Sequence, residues 1–230
     1  MVREQTGQAD PYRELKDEMN RVALDLLPTL AETARSRPDP HEAVVRLAIA
    51  GNLLDAGSKL RLVPEDMAKH MQTIWEMSLV GHVELLFRAA DEARSILYLA
   101  DNAGEIVFDR LLIEALPLEK VTVAVRGGPV INDATIADAD AAGITGIVPV
   151  VANGSDAPGT LLAECSAEFR ALYDGADMVI AKGQGNYETL SDVHKTVFFL
   201  LTVKCPAIAS DIGAPVGCMV ISQGRVGRQA

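Results

Sequence analysis

The stretch Ile96-Leu97-Tyr98-Leu99-Ala100-Asp101-Asn102-Ala103-Gly104-Glu105 runs from a short apolar segment into a polar turn that carries a glycine. The texture recurs down the chain. Val121 to Val125 precedes Arg126-Gly127-Gly128 and then Asn132-Asp133-Ala134-Thr135; Ile147 to Val151 precedes Asn153-Gly154-Ser155-Asp156; Met178 to Ile180 precedes Lys182-Gly183-Gln184-Gly185-Asn186; a last run spans Phe198 to Val203. Between them, Ile106 to Leu116 and Leu161 to Tyr173 have helical spacing and few β-branched residues. Short apolar runs alternating with helices predict an α/β fold with a parallel sheet and crossover helices. Residues just past the carboxyl ends of parallel strands meet in one crevice, so four polar clusters in those places read as one assembled site.

Before Arg94 the spacing is helical. Leu15, Met19, Val22 and Leu26 form one stripe; Val44, Leu47, Ala48 and Leu54 form another after the helix-start signal Asp39-Pro40; Met67, Met71, Ile74 and Met77 follow Pro64-Glu65-Asp66. The expected organisation is a helical N-terminal region, residues 1–93, packed without a linker onto an α/β domain, residues 94–230, that carries the strand-end clusters. With 49% apolar residues the chain can bury a core of that size. The net charge of −11, from 21 basic and 32 acidic residues, argues against a nucleic-acid partner and would repel anionic substrates at long range. An anion must then be held by local contacts. Cys165, Cys205 and Cys218 form no disulfide framework or CxxC pair, which fits a cytoplasmic location, and no apolar run reaches the ~18 residues of a membrane span. Met67 to Leu79, with Trp75, packs internally or forms a subunit interface; the oligomeric state is not legible.

The clusters are rich in oxygen donors and contain neither His nor Cys, which suits a hard divalent cation. Asp101 and Asn102 project over the sheet edge, where they either ligate a cation or cap the following helix. Asp133 carries the same two readings, and one location satisfies both. Glu105 either approaches the cation through water or is an acid in a first helical turn. Arg126 either binds a substrate anion or pairs with a surface acid. Gly154 and Ser155 have the makings of an anion-binding nest. Lys182, flanked by glycines, can bring its ammonium and backbone to a phosphoryl group, although the order of a P-loop is absent. Asn52 and Asp55 share a helical face and either close the crevice or form an internal network.

Taken together, Asp10-Pro11-Tyr12, Ala48 to Asp55, Asp101 to Glu105, Arg126 to Thr135, Lys182 to Glu188 and Cys205 to Ala209 make the chain resemble the DUF89 family of damage-control phosphatases, in its compact archaeal and bacterial branch. The resemblance implies a three-layer α/β/α sandwich with a mostly parallel sheet. It implies a divalent cation, Mn, Co, Ni or Mg, held by Asp101, Asn102 and Asp133, with Lys182 on the phosphate and Asn52 and Asp55 lining the pocket beside Glu105, Arg126, Asn132 and Asn186. Members of that branch usually carry a CxxC-bearing stretch ahead of the Asp-Pro-Tyr segment, on which this chain opens almost directly, so a shortened helical region is expected.

The expected activity is metal-dependent hydrolysis of small phosphomonoester metabolites, with Asp101 and Asp133 as catalytic ligands. The nucleophile is water activated by the metal or, alternatively, an aspartate. A non-catalytic module that binds metal and a phosphometabolite is the alternative from another class. A nicotinamide-dependent oxidoreductase is disfavoured by the missing GxGxxG fingerprint.

Overall fold

In a computed structural model, the structure describes residues 7–51 and 73–224. Among the described residues seven strands form one sheet: β1 (Leu79–Val80), β2 (Ile96–Leu99), β3 (Val121–Val125), β4 (Val150–Ala152), β5 (Met178–Lys182), β6 (Val197–Thr202) and β7 (Met219–Gln223). Their order is β1-β7-β6-β5-β2-β3-β4. The five strands from β6 to β4 are parallel; β7 runs antiparallel to β6, and β1 runs parallel to β7. The sheet is therefore mostly parallel, with two reversed strands at one edge.

Along β2, Ile96 and Tyr98 enter the core on one face while Leu97 and Leu99 enter the core on the other. A strand buried on both sides reads as an unbroken apolar run, which is why Ile96 to Leu99 was visible in sequence. The first face is covered by α1 (Arg13–Ser36), α2 (Pro40–Ala50), α3 (Val83–Glu92), α4 (Glu105–Glu114) and α5 (Ile136–Ala141). The second is covered by α6 (Ala167–Gly175), α7 (Gly183–Leu190) and α8 (Pro206–Ile212). These are the three layers of an α/β/α sandwich. The helix start read at Asp39-Pro40 is present, since the Asp39 side chain accepts from Glu42 N at 2.9 Å and Pro40 takes the first helical position.

Two departures have local causes. The run Ile147 to Val151 becomes a strand only from Val150, because Pro149 has no N–H to donate; its carbonyl still accepts from Val123 N at 2.9 Å. The reversed pair β1 and β7 was not anticipated. Two residues are too few to show alternation, and β1 lies inside the stretch read as helical. The reading of Met67 and Met71 in a third helical stripe falls outside the described residues. No helix among the described residues is long and apolar enough to cross a membrane.

The chain goes outward from β2 through β3 to β4, then returns to place β5 on the other flank of β2. The direction of winding switches beside β2, and turns leaving the carboxyl ends of β2 and β5 are drawn together there.

Candidate metal centre

The turn after β2 and the loop after β3 are joined by backbone. Asn102 and Asp133 form an isolated antiparallel bridge. Ala134 N donates to Asp101 O at 2.8 Å, Ala103 N donates to Asn132 O at 2.8 Å, and Arg126 N donates to Ala134 O at 2.9 Å. Turns far apart in sequence are thus held in one short ladder, which fixes Asp101, Asn102 and Asp133 as neighbours at the sheet edge.

Their side chains are almost fully buried. Asn102 Nδ2 donates to Asp101 Oδ2 at 2.8 Å and to Glu105 Oε2 at 3.2 Å. With both amide hydrogens directed at carboxylates, the carboxamide oxygen is the atom left for a ligand. Asp133 Oδ2 accepts from Arg126 Nε at 2.6 Å, and an Arg126 amino group lies 4.0 Å from Asp101 Oδ1. Burial, with the charges of Glu105 and Asp133 beside it, pushes the Asp101 carboxyl well above the ordinary carboxylate range, against the pull of Arg126 and Lys182. Burial also raises Asp133, and its guanidinium partner only partly offsets this. Crowded, desolvated acids of this kind are relieved by a cation, and a donor set of two carboxylates and a carboxamide fits a hard divalent ion. Among the described residues no group of three or more His, Cys, Asp or Glu is arranged to hold a metal; the carboxamide of Asn102 is what completes this set.

Gly183, at the start of α7, presses on the same point. Its φ is +77°, and a Cβ there would overlap the Asp101 carboxylate. Only a glycine can bring the β5 turn this close.

Below this layer lies an ionic cluster. Lys182, with no exposed surface, donates to Ala48 O at 2.7 Å, Glu105 Oε1 at 2.7 Å and Asp109 Oδ1 at 2.5 Å. Burial would lower its pKa, but Asp109 and Glu105 outweigh that and hold it above the usual lysine value. Burial lifts Asp109 to about 7 despite the opposing Lys182 charge. All three ammonium donors are occupied, so the lysine reaches an anion only by giving one up. Its register explains the orientation: Val179 and Ala181 face the α6–α8 layer, hence Lys182 points the other way, under α2 and α4.

The remaining candidates divide. The acid that Arg126 pairs with is the buried Asp133 and not one at the surface, and its amino groups reach Thr160 Oγ1 at 3.2 Å and Asn186 Oδ1 at 3.4 Å. Asn186 also accepts from Thr160 Oγ1 at 2.7 Å and donates to Lys182 O at 2.8 Å, which ties α7 to the centre. Asn132 is buried within the joining ladder. Ser155 N donates to Asn153 Oδ1 at 2.9 Å, as does Gly127 N at 2.9 Å, so the Gly154-Ser155 turn spends its amide inward on Asn153. Asn52 and Asp55 lie outside the described residues. Sequence reading passed over Asp109, although its spacing of four from Glu105 puts both acids on one helical face toward Lys182. A cavity of about 230 Å³ lies elsewhere, lined by Tyr187, His194, Phe199 and Asp211 among others and by none of the strand-end acids. Chemistry, not volume, marks the site.

Residues 1–220 match the family model described as the damage-control phosphatase ARMT1-like domain. A damage-control phosphatase of Archaeoglobus fulgidus is 39% identical over 225 residues, covering 95% of this chain and 77% of the relative. Damage-control phosphatase PH1575 of Pyrococcus horikoshii is 36% identical, covering 95% of this chain and 76% of the relative. The crystal structure of a DUF89 family protein from Pyrococcus horikoshii superposes with a TM-score of 0.84 at 35% identity, covering 97% of this chain and 79% of that one.

Proposed function

The chain belongs to the family of damage-control phosphatases with an ARMT1-like domain, and from that membership we propose that it is a metal-dependent hydrolase of small phosphomonoester metabolites. The observation that carries the reading is the joining of two strand-end turns through the Asn102 and Asp133 bridge, which gathers Asp101, Asn102 and Asp133 in one buried, oxygen-lined place. These three residues would hold the cation, Mn, Co, Ni or Mg. When bound, a divalent ion supplies Lewis acidity, drawing charge from a phosphoryl oxygen and acidifying water.

The chain's own groups do the rest. Glu105, gripped by Lys182, fixes the Asn102 carboxamide. Arg126, fixed by Asp133, Thr160 and Asn186, sets a guanidinium beside the reacting charge. Lys182, its charge matched by Glu105 and Asp109, holds in place the Glu105 carboxylate that orients Asn102. The overall charge of −11 makes a local cation such as Arg126 necessary.

The test is phosphate release from a panel of phosphomonoesters with Mn, Co, Ni or Mg. Turnover should require a divalent ion and vanish in Asp101→Ala and in Asp133→Ala, with circular dichroism unchanged. Hydrolysis that persists in both variants would sink the ligand assignment. Thermal stabilisation by metal and phosphate without any release would instead mark a binding module.

A further inference from the structure

Asn20, on the inward face of α1, uses both ends of its carboxamide on two different turns. Its Oδ1 accepts from Gly104 N at 2.7 Å, in the turn that carries Asp101 and Asn102. Its Nδ2 donates to Asp138 Oδ1 at 2.9 Å. Asp138 in turn accepts at Oδ2 from Thr135 N at 2.8 Å and Thr135 Oγ1 at 2.7 Å, closing a capping box two residues beyond Asp133. We infer that Asn20 is a positioning residue for the cation site, a bridge that sets the spacing of the Asp101–Asn102 turn against the Asp133–Thr135 turn. The inference rests on the metal-dependent reading above.

The surroundings suit that role. Asn20 and Asp138 are buried, and Asp138 also receives Lys16 Nζ at 2.9 Å and Arg13 at 2.9 Å, so its charge is fully matched. Burial would raise the Asp138 carboxyl, but the Lys16 hydrogen bond and charge, with the Thr135 donors, hold it below the usual carboxylate range. It therefore stays an acceptor. Gly104 has φ +75°, and a Cβ there would lie 3.1 Å from Met19, so the turn rests directly on α1. Without Asn20 the buried Gly104 N–H loses its partner, and only the backbone ladder then resists small shifts of the Asp101 turn relative to Asp133. Metal affinity is sensitive to such shifts, because ligand distances tolerate only about 0.2 Å.

The experiment measures Mn²⁺ binding to the full chain by calorimetry and by thermal shift, with inorganic phosphate present and absent. The proteins are wild type, Asn20→Ala, the milder Asn20→Ser, and Leu30→Val, a core change on the same helix far along from Asn20. Groups that orient metal ligands typically alter affinity by about 10- to 100-fold when removed. Asn20→Ala should therefore weaken Mn²⁺ binding at least about 10-fold, whereas Leu30→Val should lower the melting temperature and leave the Mn²⁺ constant unchanged. If Asn20→Ala does not fold, Asn20→Ser is judged by the same comparison. An Asn20 variant that binds Mn²⁺ as tightly as Leu30→Val overturns the inference and leaves the functional reading standing. A wild type that binds none of Mn²⁺, Co²⁺, Ni²⁺ and Mg²⁺ overturns both, and is recognised as such because the failure is in the unaltered chain.

Discussion

Gly183 leaves Asp101 no room for any other residue, and two separate effects punish a substitution there. An alanine would adopt a positive φ at a cost of about 1–2 kcal/mol, and its methyl would occupy the Asp101 carboxylate position. Gly183→Ala should therefore lower stability and also reduce kcat/KM about 100-fold, since a ligand displaced by an ångström can cost that much. Gly175, at the end of α6, has open space and an ordinary φ, so Gly175→Ala should change stability by less than about 1 kcal/mol and leave turnover alone. Equal losses in the two variants would mean that the closeness of Gly183 to Asp101 is not what matters. Ile131 presents the opposite case. It is a β-branched residue at φ +43°, half exposed, two residues before Asp133. Asparagine tolerates that region, so Ile131→Asn should raise the melting temperature by relieving strain of about 1 kcal/mol, and the core, which Ile131 does not enter, stays as packed as before. The acids of both turns were legible in sequence because strand ends and polar clusters coincide. The backbone signs of Gly183 and Ile131 were not, because packing between distant turns sets them.

Among the elements, β5 and α4 show where strand-end reasoning stops. Lys182 looked ready to meet a phosphoryl group because it follows an apolar run and precedes a glycine. As the last residue of β5, however, it obeys the alternation of the strand, and Ala181 already takes the face toward α6–α8. The lysine goes under α4, where Glu105 and Asp109 meet it. Period two was available in the sequence; the identity of the partner layer was not. Removing the cation from this cluster by Lys182→Met strands two buried acids, at a cost of about 3–5 kcal/mol near neutral pH. The pH dependence has a definite sign. Asp109 titrates at about 7 in the fold, above its value in the unfolded chain, so the folded state retains a proton that the unfolded chain releases as pH rises. That contribution is fully present below the ordinary carboxylate range and is lost as pH rises toward about 7. Without Lys182 the two acids face each other unscreened, and the loss deepens. Denaturant unfolding should show a wider gap between wild type and Lys182→Met at pH 8 than at pH 5. A gap independent of pH would mean that the cluster is not held by charge.

For the molecule as a whole, the question is whether the helical layer before Arg94 is separable from the sheet. One apolar cluster contains Met19 and Val22 of α1, Leu47 and Ile49 of α2, Phe108 of α4, Val123 of β3 and Ile180 of β5. β1, formed within the stretch read as helical, pairs with β7 at the far end of the chain. The helical stripes of α1 and α2 were readable because each buries one face, yet the sequence does not say what a buried stripe packs against. Here it packs against the sheet that carries the site, and the Asn20 and Lys16 contacts to Asp138 add a polar seam to the same interface. Separating the layers would expose that cluster and leave matched charges without partners, which makes separation costly. We propose that the described residues before and after Arg94 behave as one cooperative unit. Trp75, the only tryptophan, supplies the local probe: it packs beside the cluster on the helical side, with Arg37 stacked 4.7 Å over its ring. Its fluorescence reports the helical layer, whereas far-ultraviolet circular dichroism reports all helices and strands. In a denaturant titration the two curves should coincide with one midpoint, as all-or-none unfolding requires. If the tryptophan signal disappears at a lower denaturant concentration than the circular dichroism, the helical layer peels from the sheet. The positioning of the Asp101 and Asp133 turns by α1 would then be a labile feature and not a built-in one.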